Sequence, residues 1–177
     1  HQMSVDELLA QLKQHIADVP DERQNGPKRI LVADDDDSIR KLLAQELVSE
    51  GYVVFEAADG RSALEQVRAA HLDLVILDVL MPELSGFDLA AVIRNDPQTL
   101  GLPIVIVSVL EDKGRGYRLG VDRYLTKPIA VPELLREVQT LLAQGGSRRK
   151  VLVIDDDAQT VDTLSDALRL KGFLVTA

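Results

Sequence analysis

The sequence contains no cysteine, which excludes disulfides, thiolate chemistry and any zinc site built on cysteine. Histidine is scarce too, and His1, His15 and His71 are scattered. No stretch approaches the roughly 18 consecutive apolar residues of a membrane span, and the start lacks the charged and apolar regions of a secretion signal. Excess positive charge is also missing: 20 Lys and Arg face 29 Asp and Glu, for a formal net charge of −9. Nucleic acid and anionic membranes reward Lys/Arg patches, so neither is expected as the main partner. Together these absences fit a cytoplasmic protein. What is present is a 46% share of apolar residues in 177, enough for a packed core. That length holds one ordinary domain plus something smaller.

Apolar, β-rich runs alternate with helical patterns. The runs are RILVA (29–33), YVVFEA (52–57), LDLVILD (72–78), LPIVIVS (102–108) and DRYLTKP (122–128). Between them Ile39, Leu42, Leu43 and Leu47, then Ala63, Leu64 and Val67, then Leu89, Ala90 and Ile93, and finally Leu134, Leu135, Val138 and Leu142 recur at helical spacing. Val75-Ile76-Leu77 and Ile104-Val105-Ile106-Val107 are continuous rather than alternating, which suits strands covered on both faces. Five β-α units in succession predict an α/β domain over residues 28–143, with a doubly wound, five-stranded parallel sheet. The segment VLEDKGRGYRLG after Ser108 is short and glycine-containing, so its helix is expected to be brief or irregular.

Residues 1–27 read as an N-terminal amphipathic helix and a linker. Ser4 and Glu7 stand in capping-box spacing, and Val5, Leu9, Leu12, Ile16 and Val19 step by four and three like a coiled-coil seam. Two readings stay open for this helix: self-association, or docking on its own domain. After a linker at 144–149, residues 150–177 repeat the opening of the domain. RILVADDDDSIRKLLAQELVSEGYVVF returns as KVLVIDDDAQTVDTLSDALRLKGFLVT, with Asp155, Asp156 and Asp157 in place of Asp34, Asp35 and Asp36, and Gly172 in place of Gly51. This tail is expected to be a partial β-α-β repeat, the start of a second, truncated domain. Its unpaired strand would offer an edge for a homodimer.

The most unusual feature is the run of four aspartates, Asp34 to Asp37. Each carboxylate raises the cost of ionising the next. In a parallel doubly wound sheet every strand ends at the same edge, where ligands bind. The first strand delivers Asp34 and Asp35 there, the third Asp78, the fourth Ser108 and the fifth Lys127, followed by Pro128. Three carboxylates cannot all ionise together without a cation, and oxygen ligands of this kind select Mg²⁺ or a similar ion. Lys127 adds a point charge for a phosphoryl group and Ser108 a hydroxyl donor. Taken singly, each has a plainer reading: an acid after a strand is commonly a helix cap, a serine there is structural, and Lys-Pro is a turn. Asp36 and Asp37 are assigned to that plainer role, starting the helix before Ser38 and Ile39.

These residues resemble the receiver domain of bacterial two-component response regulators, over residues 28–143. The most specific stretch is LVILDVLMPELSGFDL (74–89), with Met81-Pro82 and Gly86 placed after Asp78. The resemblance implies a flavodoxin-like receiver fold and an Mg²⁺-dependent phosphoryl acceptor rather than an enzyme. Asp78 would take the phosphoryl group from a histidine kinase or phosphotransfer protein. Asp35, Asp78 and the Leu80 carbonyl would hold Mg²⁺, with Asp34 acting through its water ligands. Ser108 and Tyr124 would form the switch, Lys127 would pair with the phosphate, and the Lys127–Pro128 bond would be cis. By the same resemblance the short segment after Ser108 points to receivers of hybrid sensor kinases, and the repeat to a tandem receiver. Val109 stands after Ser108 where the family commonly has a smaller alanine, which implies tighter access to the phosphorylation site, and the apolar Leu80 and Leu110 are expected to hinder an attacking water.

Two rival functions remain. A haloacid-dehalogenase-like phosphotransferase would use Asp34 as nucleophile, with Asp34-x-Asp36 as its motif, but leaves Asp78 and the Met81-Pro82 loop unexplained. A pseudo-receiver interaction or dimerisation module would use the same surfaces without phosphorylation.

Overall fold

The computed structural model describes residues 26–144, 150–152, 157–170 and 174–176. The chain divides into two compact units, one spanning Pro27–Arg148 and the other taking in the described residues after Arg149. The helix expected over residues 4–19, with its coiled-coil seam, lies outside the described residues.

In the larger unit five strands alternate with five helices. They are β1 (Arg29–Ala33), α1 (Asp37–Ser49), β2 (Val53–Ala57), α2 (Gly60–Ala69), β3 (Leu74–Leu77), α3 (Gly86–Asn95), β4 (Ile104–Ser108), α4 (Lys113–Arg118), β5 (Arg123–Thr126) and α5 (Val131–Ala143). All strand pairs are parallel, in the order β2-β1-β3-β4-β5. The chain therefore reverses its winding between β1 and β3, the place where such sheets open a crevice at their carboxyl edge.

The apolar runs are continuous because the sheet is buried on both faces. Along β1, Ile30 and Val32 join a core with Leu43 and Leu47 of α1 and Leu134 and Val138 of α5. Leu31 and Ala33 face the opposite layer, with Ala63 and Val67 of α2 and Phe87, Leu89 and Ile93 of α3. Helix α4 is only six residues long, as its glycines led one to expect. The strands β3 and β5 are shorter than the runs that announced them, since acids at their entrances cap neighbours instead. Asp73 accepts from the Arg29 amide at 2.7 Å and Asp122 from the Ile104 amide at 2.8 Å. Among the described residues no helix is long and apolar enough to cross a membrane.

The smaller unit contains β6 (Lys150–Leu152), α6 (Ala158–Leu170) and β7 (Leu174–Thr176). Its strands pair in parallel with Lys150 opposite Leu174, as Arg29 stands opposite Val53 in the larger unit. Asp157 accepts from the Gln159 amide and the Thr160 hydroxyl before α6, the role its counterpart Asp36 plays before α1. Asp155 and Asp156 lie outside the described residues.

Candidate functional site

The four aspartates divide their work in pairs. Asp36 is the N-cap of α1, accepting from the amides of Ser38 at 2.9 Å and Ile39 at 3.2 Å, and Asp37 lies in the first turn. Both carboxylates suit the positive end of the helix. Asp34 instead sits directly beyond β1, only 2% exposed. Its Oδ1 accepts from the Asp36 amide at 2.9 Å and its Oδ2 from Lys127 Nζ at 2.8 Å. Asp35 is exposed beside it.

Asp78 follows the central strand β3 and is 5% exposed. Its amide donates to the Ala33 carbonyl at 2.8 Å, which holds the ends of β1 and β3 together. Its Oδ1 accepts from the Leu80 amide at 3.2 Å, and its Oδ2 from Lys127 Nζ at 2.9 Å. Lys127 thus bridges the two buried acids from the end of β5, and its peptide bond to Pro128 is cis. Carboxylate oxygens of Asp34, Asp35 and Asp78 lie within 4.8 Å of one another.

Three carboxylates face one ammonium, so the cluster carries surplus negative charge. Burial pushes the Asp34 carboxyl above its ordinary range, against the Lys127 and Asp36 hydrogen bonds that favour its charged form. Burial also disfavours the Lys127 charge, but its hydrogen bonds to Asp34 and Asp78 prevail and hold the ammonium above its ordinary pKa. All-oxygen ligands, excess charge and one exposed member match the chemistry of a hard divalent cation.

The sign of the Asp34 shift gives a prediction for metal-free protein. An acid whose folded pKa is raised supports folding while protonated, below the ordinary carboxylate range, and loses that support as pH rises through the folded value. Asp34→Asn keeps an oxygen for Lys127 and removes the charge. In EDTA at pH 7 it is expected to raise stability by about 1 kcal/mol, a gain that shrinks as pH falls toward 4. Urea titrations across that range measure it.

Ser108 is fully buried at the end of β4, and its Oγ accepts from the Leu110 amide at 3.3 Å rather than meeting the acids. Tyr124 points inward from β5. Its hydroxyl donates to the Leu110 carbonyl at 2.7 Å, and its ring lies 6.4 Å from that of Phe87. Both residues therefore hold the same β4–α4 turn. Around the mouth Leu80, Val109 and Leu110 are exposed apolar side chains.

Of two further supports, Gly86 was placed by the family pattern alone and Arg40 escaped sequence reasoning. A Cβ on Gly86 would stand 2.1 Å from the Asp78 carbonyl oxygen, so only glycine lets α3 start so close to the acid. Arg40 is 8% exposed and its Nη1 donates to the Asp34 carbonyl at 2.7 Å. A signal for Arg40 was present: it occupies the buried stripe of α1 with Leu43, Ala44 and Leu47, where an apolar residue would be ordinary.

A doubly wound parallel sheet with acids at its switch point and a lysine reaching across them defines a class of α/β signalling domain. Residues 30–139, more than half of the chain, match the response regulator receiver domain. The chain belongs to the response regulator receiver domain family. It is 35% identical over 146 residues to the probable transcriptional regulatory protein SilR of Salmonella typhimurium, covering 81% of this chain and 61% of that protein. A solved structure of a putative response regulator from Chloroflexus aurantiacus is 36% identical with a TM-score of 0.64, covering 67% of this chain and 99% of that one. Response regulator TrrA of Thermotoga maritima, solved in complex with Mg²⁺-BeF, is 35% identical with a TM-score of 0.59, covering 64% of this chain and 98% of that one.

The chain thus spans less than two thirds of the curated relative's length. The sequence-based expectation that nucleic acid is not a partner finds no support here, because SilR is by name a transcriptional regulator. Receiver domains of histidine kinases are also among the similar solved structures, so neither kind of parent protein is favoured. Receiver domains are signalling proteins that pair with histidine kinases or phosphotransfer proteins in two-component systems, and the family match does not favour the dehalogenase-like or pseudo-receiver readings.

Proposed function

We propose that Asp78 is the residue that accepts a phosphoryl group from a histidine kinase or phosphotransfer protein, with Asp34, Asp35, Asp78 and the Leu80 carbonyl holding Mg²⁺. The observation that carries this reading is the Asp78 carboxylate itself, buried at the end of β3 with Oδ2 on Lys127 Nζ and its oxygens within reach of two more acids. A carboxylate oxygen attacks phosphorus, the bond to the donor's leaving group breaks, and an acyl phosphate forms. When bound, the cation would neutralise charge on the incoming phosphoryl oxygens. Lys127 does the same with its own charge and holds the acceptor in place. The product adds about two negative charges at this spot. Ser108 can turn its hydroxyl toward them, releasing the Leu110 amide, and Tyr124 repacks with the same turn. The chain acts as an acceptor with at most slow self-dephosphorylation rather than as an enzyme.

The domain limits that go with this reading are 28–143, with residues 150–177 as the start of a second receiver that repeats the acid pair as Asp155 and Asp156. The cytoplasm, where an ATP-charged kinase would meet it, is the corresponding location. Self-association through residues 4–19 or through the second β-α-β copy belongs to the same reading, and a monomer at all concentrations in sedimentation would remove it.

Intact mass after incubation with Mg²⁺ and acetyl phosphate tests the acceptor. One phosphoryl group is expected in the wild type, dependent on Mg²⁺, and none in Asp78→Asn. No gain in the wild type would favour a non-phosphorylated module, and a gain lost only in Asp34→Asn would make Asp34 the nucleophile. Leu80→Asn, which opens the mouth to water, is expected to shorten the phosphorylated lifetime several-fold; an unchanged decay of the mass signal would reject a barrier role for Leu80.

A further inference from the structure

Helix α1 carries a buried arginine whose guanidinium turns back toward the strand that precedes it. Arg40 Nη1 donates to the main-chain carbonyl of Asp34 at 2.7 Å. Its Nε pairs with Glu56 at 3.3 Å, near the end of β2, and its Nη2 with Asp37 in its own first turn. One planar group therefore ties together the end of β1, the end of β2 and the start of α1.

We propose that Arg40 is a positioning residue for the cation site, acting by fixing the peptide between Asp34 and Asp35. This rests on the metal reading of the acid cluster. Asp35 is the exposed member of that cluster and has no hydrogen-bond or ion-pair partner among the described residues. Repulsion from Asp34 and Asp78 drives its carboxylate outward, and in the metal-free protein no side-chain contact opposes that. The remaining restraint is the backbone. The Asp34 carbonyl belongs to the peptide that leads into Asp35, so a donor held on that oxygen fixes the plane from which the Asp35 side chain departs. Asp36 pins the next step through its amide on Asp34 Oδ1 at 2.9 Å.

The effect is geometric rather than a field effect. Arg40 is already matched by two carboxylates, Asp37 and Glu56, so its net influence on the cluster's charge is small. A lysine would keep the charge, but a single ammonium cannot reproduce a fork that serves a carbonyl and two separate acids. Partners one step removed from a metal commonly change its affinity by 10- to 100-fold.

Calorimetric titration of Mg²⁺, paired with phosphorylation by acetyl phosphate at saturating Mg²⁺, tests the assignment. Arg40→Met retains the apolar stem and is expected to weaken Mg²⁺ binding by about tenfold, while the phosphorylation rate at saturating Mg²⁺ stays within about twofold. Arg40→Lys is expected to weaken it too. Glu56→Gln, which alters the charge beside Arg40 but not its bond to Asp34, is expected to leave the affinity unchanged. An unchanged Mg²⁺ dissociation constant in folded Arg40→Met overturns the inference. Should that variant fail to fold, the same result in Arg40→Lys overturns it. Equal weakening by Glu56→Gln overturns it as well, because charge would then be the cause. A wild type that binds no Mg²⁺ would refute the metal reading itself, a result distinct from all of these.

Discussion

Gly86→Ala is expected to destabilise the larger unit by about 3 kcal/mol and to abolish most phosphorylation, although the added methyl group is small and apolar. The new Cβ would meet the Asp78 carbonyl oxygen at 2.1 Å and the Val79 Cα at 3.0 Å. Both are main-chain atoms, which cannot swing aside as a side-chain tip can. The Gly86 amide also donates to the Val79 carbonyl at 3.0 Å, holding α3 against this stretch. Relief would have to come from moving α3 outward or Asp78 away from Lys127. Moving α3 strips Phe87 and Leu89 from the core, and moving Asp78 disperses the acids. The midpoint of urea unfolding reports the first cost and intact mass with acetyl phosphate the second. A variant of wild-type stability would show that the loop from Val79 to Ser85 yields more easily than its close packing implies.

The second large effect lies at the opposite edge of the sheet. Arg94→Met is expected to cost about 3–5 kcal/mol, the range for removing one member of a buried ion pair. From α3 the guanidinium donates to the carbonyls of Gly120 at 2.9 Å, Leu100 at 3.0 Å and Leu102 at 2.7 Å, and to Asp122 Oδ2 at 2.9 Å. The Arg94 and Asp122 side chains are only 12% and 9% exposed. Methionine fills the stem's space but leaves three carbonyls without this donor and a buried carboxylate without its counter-charge. In contrast to Gly86→Ala, molecules that remain folded should accept a phosphoryl group at close to the wild-type rate, since nothing near Asp78 changes. Chemical denaturation combined with mass measurement separates the two variants.

The strands were legible because a sheet buried on both faces needs unbroken apolar runs, and Val75 to Leu77 and Ile104 to Val107 can satisfy little else. The meeting of Asp34, Asp35 and Asp78 with Lys127 was legible for a topological reason. Parallel strands all end at one edge, so residues at strand ends become neighbours however far apart they stand in the chain. Arg94 was not legible, and Arg40 showed only as a charge in the buried stripe of α1. The Asp34 carbonyl that Arg40 holds and the three carbonyls that Arg94 holds are groups that every residue possesses and no pattern reveals. Gly86 was legible through the family pattern, while the physical demand on it, one carbonyl oxygen in a loop, is something on which periodicity is silent. Asp73 and Asp122 read as strand residues in sequence because both precede apolar runs, yet each uses its carboxylate to bind the first amide of a neighbouring strand.

The Arg94–Asp122 bracket has a broader implication when set beside the acid cluster. The two ends of the sheet are specialised for different tasks. One rim gathers Asp34, Asp78 and Lys127, the residues of the proposed acceptor site. The other is an anchoring end, fastened by Asp73 on the Arg29 amide and by Arg94 on the loops before β4 and β5. A change at the anchoring end therefore acts on stability and leaves the geometry around Asp78 alone. The two rims can in this way be altered one at a time, stability at one and the proposed acceptor site at the other.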